Sequence, residues 1–577
     1  MGDISGGELL VRCLLNEGAR YVFGIPGGQM ATFVDAIYRV GRPAGMDFIM
    51  TRHEAAAAHM ADALTRTTGE VAVCTGTVGP GSLNLVAGVA VAHSDGIPMV
   101  VITPQIHSNR SYPFRGSQQQ LDQLKLFEGI TKWNALVHRW DRIPEMVQWA
   151  FRIATSGRPG PVHLDINVDV LYELGEESSV RLVPPERYRA FDRPMGDADQ
   201  VQRAVELLAA AERPLIHPGG GVLRSEAWEE LKELAEYLQA PVAPSVGGRS
   251  AMPEDHPLAL VPANAGAIMA GAGADVVLCV GSMMGELDFW GQPPLWGEPA
   301  AQKLIQVDID PEVIGMNREV DVAIVGDARQ VLRQLLSGLR ERRGPAEKRD
   351  FTASVKDVDR QAAEGMREFM ESDSVPIHPL RVIGEALEFF GPEAIVVVDG
   401  GNTALWANMA ARVFRPRSFL MASGMGHLGV GLPFAMGAKM AHPDRPVYVL
   451  HGDGSFMLNC QDVETAVRYC LPVVDIIFDD QAWGMIKGAQ DAAFGKRYCG
   501  VDFGPTRYDL LAQSMGAFGA LVEDPADLRP ALKEAVASGK PAVLDVRIDQ
   551  EVNLNPPTLQ MIVQLWLQGC DLNSCQG

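Results

Sequence analysis

The chain has 577 residues and a formal net charge of −22, with 47% hydrophobic and 21% charged residues. This composition is ordinary for a soluble globular protein, and the acidic excess argues against binding to nucleic acids or to anionic membranes. The length is too great for one hydrophobic core and predicts about three or four domains.

Cysteine usage and the chain start indicate the compartment. The eight cysteines include no C-x-x-C pair, so neither a zinc site nor a disulfide framework is predicted. Residues 1–10 contain Asp and Glu and lack the basic-then-apolar pattern of a signal peptide. The most apolar window, residues 265–285, is interrupted by Asp275 and predicts a helix and a buried strand. We therefore expect a cytoplasmic protein that spans no membrane.

Residues 1–180 alternate helix-like and strand-like segments, which is typical of a doubly wound α/β domain. The predicted helices are Gly7–Glu17, Met30–Tyr38 and His53–Arg66, and the predicted strands are Tyr21–Gly24, Asp47–Met50, Val71–Thr75 and Met99–Thr103.

Thr51 and Glu54 have the spacing of a capping box, which would open the third helix. His53, Glu54 and His59 do not form the H-E-x-x-H zinc motif. A spacing of six residues places the two histidines on different helix faces.

Two loops follow in the same domain. Gly76–Asn84 is rich in Gly and Pro and leads into a helix, while Arg115–Asp122 is rich in glutamine, which is typical of solvated surface. Residues 176–199 are polar and contain proline, which predicts a linker.

A second α/β unit is predicted for residues 200–340, with strands Pro214–His217, Val276–Val280 and Lys303–Val307. Its Gly219–Gly221 run is not the G-x-G-x-x-G of a dinucleotide site, so a purely structural unit is at least as well supported. The charged residues 341–364 predict another linker.

The third unit contains two strand ends that carry carboxylates. Val447–Leu450 leads to Gly452-Asp453-Gly454, and Val473–Phe478 leads to Asp479-Asp480. Parallel strands joined by a crossover place both ends at one edge of the sheet, where α/β proteins bind ligands. Two carboxylates there suit a hard cation such as Mg²⁺, which proteins usually share with a phosphate.

The stretch from His451 to Met485 resembles the diphosphate-binding motif of thiamine diphosphate enzymes, which reads Gly-Asp-Gly, a spacer of this length, and Asn-Asn or a variant. The resemblance runs from Gly7 to about Val546 and favours the branch of acetolactate synthase and benzaldehyde lyase. It implies that Asp453, Asp480 and the Ala482 carbonyl bind Mg²⁺. Other cofactor-binding residues that it implies are Gly28, Asn84, Asn402, Thr403, Gly452, Gly454, Ser455, Trp483, Gly484 and Met485.

The family also offers a second interpretation of Glu54, because RHEAAAAHMADALTRTTG resembles the helix that carries the activating glutamate. Glu54 would then hydrogen-bond the cofactor's pyrimidine ring. By the same resemblance, Gln119 is the active-site glutamine, the Gly426 carbonyl accepts from the 4′-amino group, and Leu428 separates the two cofactor rings. His427 is the nearest candidate acid or base, although a lone histidine in a glycine-rich loop is more often structural.

The resemblance implies three doubly wound parallel-sheet domains: pyrimidine-binding (1–180), middle (195–340) and diphosphate-binding (375–550). A tail (551–577) would follow as a candidate lid. In the acetolactate synthase branch the middle domain binds FAD through arginines. The corresponding run here, Gly281–Glu286, has none, so we expect no stoichiometric FAD, and the pocket would be empty or hold another ADP-containing molecule.

The implied function is formation or cleavage of C–C bonds in 2-oxo acids or acyloins with thiamine diphosphate, in a homodimer or homotetramer with active sites at the dimer interface. The alternative is a flavin-free acyloin or diketone lyase. A non-catalytic relative is disfavoured because Glu54, Asp453 and Asp480 are all present. An unrelated nucleotide-binding protein is disfavoured because no Walker motif occurs.

Overall fold

The computed structural model describes residues 2–262 and 264–567. The described chain forms two compact units. Unit 1 comprises residues 2–192, 422–444 and 459–471, and unit 2 comprises residues 193–421, 445–458 and 472–567. Each unit is therefore built from segments that are distant in the sequence, and the predicted domain boundaries stay a prediction.

The first segment of unit 1 contains a six-stranded parallel sheet in the order β3-β2-β4-β5-β7-β6, and β1 pairs antiparallel with β8. Its elements are β1 (Asp3–Ser5), α1 (Gly6–Asn16), β2 (Tyr21–Gly24), α2 (Ala31–Ala36), β3 (Asp47–Met50), α3 (Glu54–Thr68), β4 (Ala72–Thr75), α4 (Pro80–Asp95), β5 (Met99–Gln105), α5 (Gln123–Glu128), β6 (Trp133–Val137), α6 (Ile143–Thr155), β7 (Pro161–Asn167), α7 (Val168–Tyr172) and β8 (Leu174–Glu176).

The next segment contains a four-stranded parallel sheet in the order β12-β11-β10-β9. Its elements are α8 (Ala198–Ala210), β9 (Pro214–Pro218), α9 (Gly220–Arg224), α10 (Trp228–Leu238), α11 (Ala265–Gly273), β10 (Val276–Val280), β11 (Lys303–Asp308), β12 (Val322–Val325), α12 (Ala328–Arg342) and α13 (Asp350–Met370).

The last segment contains a second six-stranded parallel sheet, in the order β14-β13-β15-β16-β18-β17. The elements from residue 379 onwards are α14 (Pro379–Phe390), β13 (Ile395–Asp399), α15 (Gly401–Ala410), β14 (Phe419–Leu420), α16 (Gly431–Ala441), β15 (Val447–Gly452), α17 (Asp453–Asn459), α18 (Val463–Arg468), β16 (Val474–Asp479), α19 (Gly484–Phe494), α20 (Tyr508–Ser514), β17 (Phe518–Val522), α21 (Leu528–Ala537), β18 (Ala542–Arg547), α22 (Gln550–Asn553) and α23 (Leu559–Trp566). Of these, α16 and α18 belong to unit 1, whereas the strands belong to unit 2.

The predicted α/β class is confirmed, and its physical origin lies in the central strands. The strands β5, β7, β10 and β13 are buried along their whole length, because helices cover both faces of a parallel sheet. β15 and β16 pair in parallel with Gly452 opposite Phe478, so the prediction that both acidic strand ends share one edge is also confirmed.

The predicted linker at residues 341–364 is wrong. α12 extends to Arg342, and α13 runs from Asp350 to Met370. Most charged residues of α13 are not buried, whereas Val355, Met366 and one aspartate, Asp359, are buried. High charge therefore indicated an amphipathic helix here and not an extended connection.

None of the helices in the two described stretches is long and apolar enough to cross a membrane.

A buried arginine supports unit 2 and gives a testable stability prediction. Arg249 pairs with Glu254 at 2.7 Å, and both side chains are almost fully enclosed. Its guanidinium also donates to the carbonyl oxygens of Asn408 and Ala411, at 3.0 and 2.7 Å. Arg249→Met leaves a buried carboxylate without its cation and is expected to lower the stability of unit 2 by about 3–5 kcal/mol.

The matched control is Arg415→Met, because the Arg415–Glu393 pair has the same chemistry but is half exposed. Its loss is expected to cost less than about 1 kcal/mol. Thermal unfolding of both variants checks this. Equal shifts of the unfolding midpoint would show that the buried Arg249–Glu254 pair stabilises the protein no more than the exposed pair does.

Candidate active site

Glu54 is the first residue of α3 in unit 1 and is only 5% exposed. Its Oε2 atom accepts a hydrogen bond of 2.9 Å from the Asn84 side chain, which lies on α4. The two predicted cofactor residues are therefore in direct contact.

The capping-box prediction for Thr51 and Glu54 is wrong. The N-cap of α3 is His53, whose Nδ1 atom accepts from the Ala55 amide at 3.1 Å. The Thr51 hydroxyl donates to the His53 carbonyl, and the Thr51 amide donates to Gly24. The histidine caps the helix, and the Glu54 carboxylate contacts Asn84.

Gln119 lies beside the loop that leads to Asn84. An ideal Cβ built on Gly79 would lie 2.3 Å from the Gln119 carbonyl oxygen, and Gln119 itself has a positive φ of 63°. Its side-chain oxygen accepts from the Gln29 amide at 2.9 Å, and the Thr77 hydroxyl donates to Gln29 at 3.2 Å. Gly28, exposed at the surface, directly precedes Gln29.

Gly426 and Leu428 lie on a loop of unit 1 that is fixed at three points. The Gly424 amide donates to Asp95 at 2.8 Å, and the Asn459 side chain donates to the Gly429 carbonyl at 2.7 Å. Between them, the ring centroid of His427 lies 5.4 Å from that of His59 on α3. The structure thus attaches this loop to the helix that Glu54 opens.

His59 is fully buried, and burial, together with the nearby His427 and Arg66, lowers its pKa to about 3. The imidazole is therefore neutral at physiological pH, which suits the packing role that a lone buried histidine usually has.

A second cluster lies in unit 2, at the carboxyl ends of β15 and β16. Asp453 is 2% exposed, and its carboxylate accepts from the Gly454 and Gln481 amides at 2.7 and 2.8 Å. Ser455 is also buried, and its hydroxyl donates to the Gly452 carbonyl at 2.9 Å.

The adjacent aspartates 479 and 480 have different environments. Asp480 accepts from the Asn553 side chain at 2.7 Å and from the Ala482 amide at 3.3 Å. Asp479 forms an ion pair with Arg547 on β18. The two side chains therefore contact different partners, and the charge of Asp479 is already balanced by Arg547.

Asn553 links Asp480 to Asn402. Its backbone carbonyl accepts from the Asn402 side chain at 2.6 Å, and its own side-chain oxygen accepts from the Trp406 indole at 3.0 Å. Asn402 and Thr403 are buried in the first turn of α15. The Asn402 side-chain oxygen has no hydrogen-bond partner among the described residues.

The turn after β16 packs closely enough to require glycine. A Cβ on Gly484 would lie 2.6 Å from Asp480 Oδ2 and 3.3 Å from the Asn402 side-chain nitrogen. Met485 packs against Gly401, where α15 begins, and the Trp483 ring packs against Gly454. The starts of α15 and α19 therefore meet at the Asp453–Asp480 edge, and their free amide groups favour an anion there.

The electrostatics of this cluster fit a bound cation. Burial raises the pKa values of both Asp453 and Asp480, and repulsion from Asp480 and Asp479 raises that of Asp453 further. Such strain between enclosed carboxylates is relieved by a divalent cation, and oxygen donors of this kind are the ligands that Mg²⁺ prefers. The residues present thus suit Mg²⁺ with a diphosphate at the helix starts.

Sequence reasoning missed Asn553, Gln29 and His451. The His451 ring lies between Asp475 and Asp399, at 3.0 and 3.2 Å, just before Gly452. Burial lowers the pKa of His451, but the two carboxylates outweigh this and raise it to about 10. Gln29 and His451 directly adjoin predicted cofactor residues, but their residue types gave no signal of these contacts, and Asn553 belongs to no short motif.

The predicted tail begins with α22, and its described part ends at residue 567. Leu554 and Leu559 pack against Gly488 of α19. Residues 568–577, the end of the predicted lid, lie outside the described residues.

Comparisons with known proteins cover nearly the whole chain. Three family models match: the N-terminal thiamine pyrophosphate (TPP) binding domain of TPP enzymes at residues 4–126, their central domain at 201–335, and their C-terminal TPP binding domain at 399–546. The probable acetolactate synthase large subunit of Methanococcus aeolicus is 36% identical over 577 residues, covering 96% of this chain and 94% of that protein. The probable large subunit of Methanocaldococcus jannaschii is also 36% identical, covering 95% and 92%. The acetolactate synthase isozyme 3 large subunit of Escherichia coli is 32% identical, covering 98% and 99%.

Proposed function

We propose that this chain, which belongs to the thiamine pyrophosphate enzyme family, joins two 2-oxo acids with loss of one carbon dioxide. It is a thiamine diphosphate-dependent carboligase that acts on 2-oxo acids. The observation that carries this proposal is the pose of Glu54. A buried carboxylate that could have capped α3 is held instead by Asn84, in the position that the resemblance gives to the activating glutamate.

When bound, thiamine diphosphate supplies the group that stabilises the negative charge left by decarboxylation. Glu54 would share a proton with the pyrimidine N1′ atom, and its burial would strengthen that hydrogen bond. Gln119 would orient the substrate, the Gly426 carbonyl would accept from the 4′-amino group, and Leu428 would exclude water from between the rings.

Asp453, Asp480 and the Ala482 carbonyl would hold Mg²⁺. The diphosphate would be held by residues at the edge where β13, β15 and β16 end: Asn402, Thr403, Gly452, Gly454, Ser455, Trp483, Gly484 and Met485. The buried carboxylates, the two helix starts and the unpartnered Asn402 oxygen support this assignment. Asp479 is not assigned as a Mg²⁺ ligand because its carboxylate already forms an ion pair with Arg547.

For the assembly, we propose a homodimer or homotetramer in the cytoplasm. The family resemblance supports active sites at the dimer interface, and the acidic net charge of −22 supports a protein that works away from nucleic acids and anionic membranes.

We expect purified protein to carry no stoichiometric FAD. At the carboxyl end of β10, Ser282 donates to Asp288 at 3.3 Å, and Asp288 lies 3.5 Å from the buried His217. The polar groups at this strand end are thus paired with one another, and Glu286 adds negative charge where FAD-binding relatives place arginine. These residues do not fit a flavin diphosphate.

The absorbance spectrum of the purified protein, and of the supernatant after heat denaturation, checks this. A flavin band of about one equivalent per chain would overturn the expectation. Absence of flavin together with acyloin cleavage would favour the alternative of a flavin-free lyase.

The experiment that tests the proposed reaction is an assay with thiamine diphosphate, Mg²⁺ and a panel of 2-oxo acids, acyloins and diketones. The proposal predicts carbon dioxide release coupled to a condensation product of two 2-oxo acids. Cleavage of acyloins or diketones without condensation would support the lyase instead. Inertness towards the whole panel, with the cofactor bound, would support a non-catalytic relative.

A further inference from the structure

Gln123 connects a buried polar network to the loop that leads to Asn84. It is the first residue of α5, and its side chain is fully buried. Its side-chain oxygen accepts from the Gly79 amide at 2.7 Å. Its side-chain nitrogen donates to Asp165 at 2.6 Å and to the Pro104 carbonyl at 3.1 Å. Both the oxygen and the nitrogen of the side-chain amide therefore have hydrogen-bond partners within the protein. A glutamine at the surface could bond to water instead.

The Gly79 amide lies at a demanding point of the backbone. Gly79 has a positive φ of 73° and is the N-cap residue of α4, with no side chain to cap the helix. One face of this glycine is closed by the Gln119 carbonyl, and α4 carries Asn84, the partner of Glu54. Gln123 thus fixes the turn that sets the positions of Asn84 and Gln119.

Asp165 lies at the other end of the network, on β7. It is 0% exposed and accepts from Thr103, Gln105 and Gln123 at 3.0, 2.9 and 2.6 Å. Burial raises the pKa of Asp165 and these three donors lower it, with a net value of about 7. A proton therefore enters or leaves this carboxyl within the physiological pH range.

Asp122, Tyr112 and His163 are titratable groups near Asp165. Asp122, the N-cap of α5, is one of the causes that raise the pKa of Asp165. Tyr112 donates to Asp122 at 3.2 Å, and burial raises the Tyr112 pKa, so it remains protonated. His163 lies 2.7 Å from the Thr103 hydroxyl, and burial lowers its pKa to about 3, so it remains neutral.

We propose that Gln123 is a positioning residue for the proposed active site, because its side-chain amide holds the Gly79 turn at one end and is held by Asp165 at the other. The inference rests on the proposed function, because it concerns the loop of Asn84 and Gln119. An ionised carboxylate only accepts hydrogen bonds, so it orients the Gln123 amide with its nitrogen towards Asp165 and its oxygen towards Gly79. A protonated carboxyl can also donate, which permits the opposite orientation and places two donors face to face at Gly79.

The test compares two substitutions at this position. Gln123→Met has a similar length but no polar atoms at its end, so it removes the clamp at every pH. We expect thiamine diphosphate to bind about tenfold more weakly, and the amides of residues 76–84 to exchange faster with solvent in the cofactor-free protein. Gln202→Met, on the exposed surface of α8, is the matched control and should change neither.

Gln123→Glu is the conservative variant. Two adjacent carboxyl groups share one proton, so at about pH 6 the protonated pair can still donate to one side and accept from Gly79. At about pH 8 the pair loses that proton and the clamp fails. Relative to Gln123→Met, which lacks the clamp at every pH, cofactor affinity should fall with rising pH in Gln123→Glu and rise with pH in the wild type and in Gln202→Met.

Unchanged amide exchange and unchanged affinity in Gln123→Met would overturn the inference, as would parallel pH trends in all three proteins. Failure of the wild type to bind thiamine diphosphate would instead overturn the proposed function. The exchange rates of the cofactor-free proteins would then still decide whether Gln123 holds the turn.

Discussion

Glu54→Gln is expected to lower kcat by about 10²–10⁴-fold while leaving the fold intact, because it removes an acid that moves a proton during the reaction. Glutamine can still accept from Asn84, so the 2.9 Å contact and the packing of α3 should survive. Exchange of the thiazolium C2 proton of bound cofactor with deuterium, followed by NMR, should slow by orders of magnitude.

The control for this substitution is Glu70→Gln. Glu70 pairs with Arg20 at 2.6 Å, but both side chains are about half exposed, and we assign it no role in the reaction. Its kcat and its C2 exchange should match the wild type. If Glu54→Gln also exchanges C2 at the wild-type rate, the carboxylate contributes only to packing and the assigned role is wrong.

Asp480→Ala is expected to weaken Mg²⁺ binding by more than about 100-fold, and cofactor binding with it, because even residues behind a ligand commonly contribute 10–100-fold. Asp479→Ala should affect Mg²⁺ much less. It breaks the ion pair with Arg547, which is largely enclosed, so it should instead lower stability by about 3 kcal/mol.

This pair of variants separates metal binding from stability within two adjacent residues. Calorimetric titration with Mg²⁺ and thiamine diphosphate measures the first, and thermal unfolding of the cofactor-free proteins measures the second. Equal losses of metal affinity in both variants would mean that the wrong member of the pair has been assigned as the ligand.

The strands and their acidic ends could be predicted because both depend on local sequence. A parallel strand that is buried on both faces needs a continuous apolar run, as in Val447–Leu450, and the residues after it must lie at the sheet edge. The predicted edge therefore required no knowledge of the remaining fold.

The partners of the site residues could not be predicted, because they come from distant parts of the chain. Asn553 lies 73 residues beyond Asp480, and Gln123 lies 44 residues beyond Gly79. Nothing in the short sequence around either residue indicates which backbone amide or carboxylate it will meet. Such contacts depend on tertiary packing alone.

Two local interpretations failed for definite reasons. Thr51 and Glu54 have the spacing of a capping box, but His53 caps the helix first and leaves the Glu54 carboxylate to Asn84. Residues 341–364 are highly charged, but Val355 supplies a buried position that turns part of this stretch into a packed helix. Composition does not distinguish a solvated helix face from a linker.

The central claim is that Asp453 and Asp480 bind thiamine diphosphate through a divalent cation. The most direct test is calorimetric titration of the cofactor-free protein with thiamine diphosphate, once with Mg²⁺ and once with a chelator. We expect saturable binding of one molecule per chain with Mg²⁺ and a large loss of affinity without it. Equal binding in both titrations, or none in either, would contradict this account.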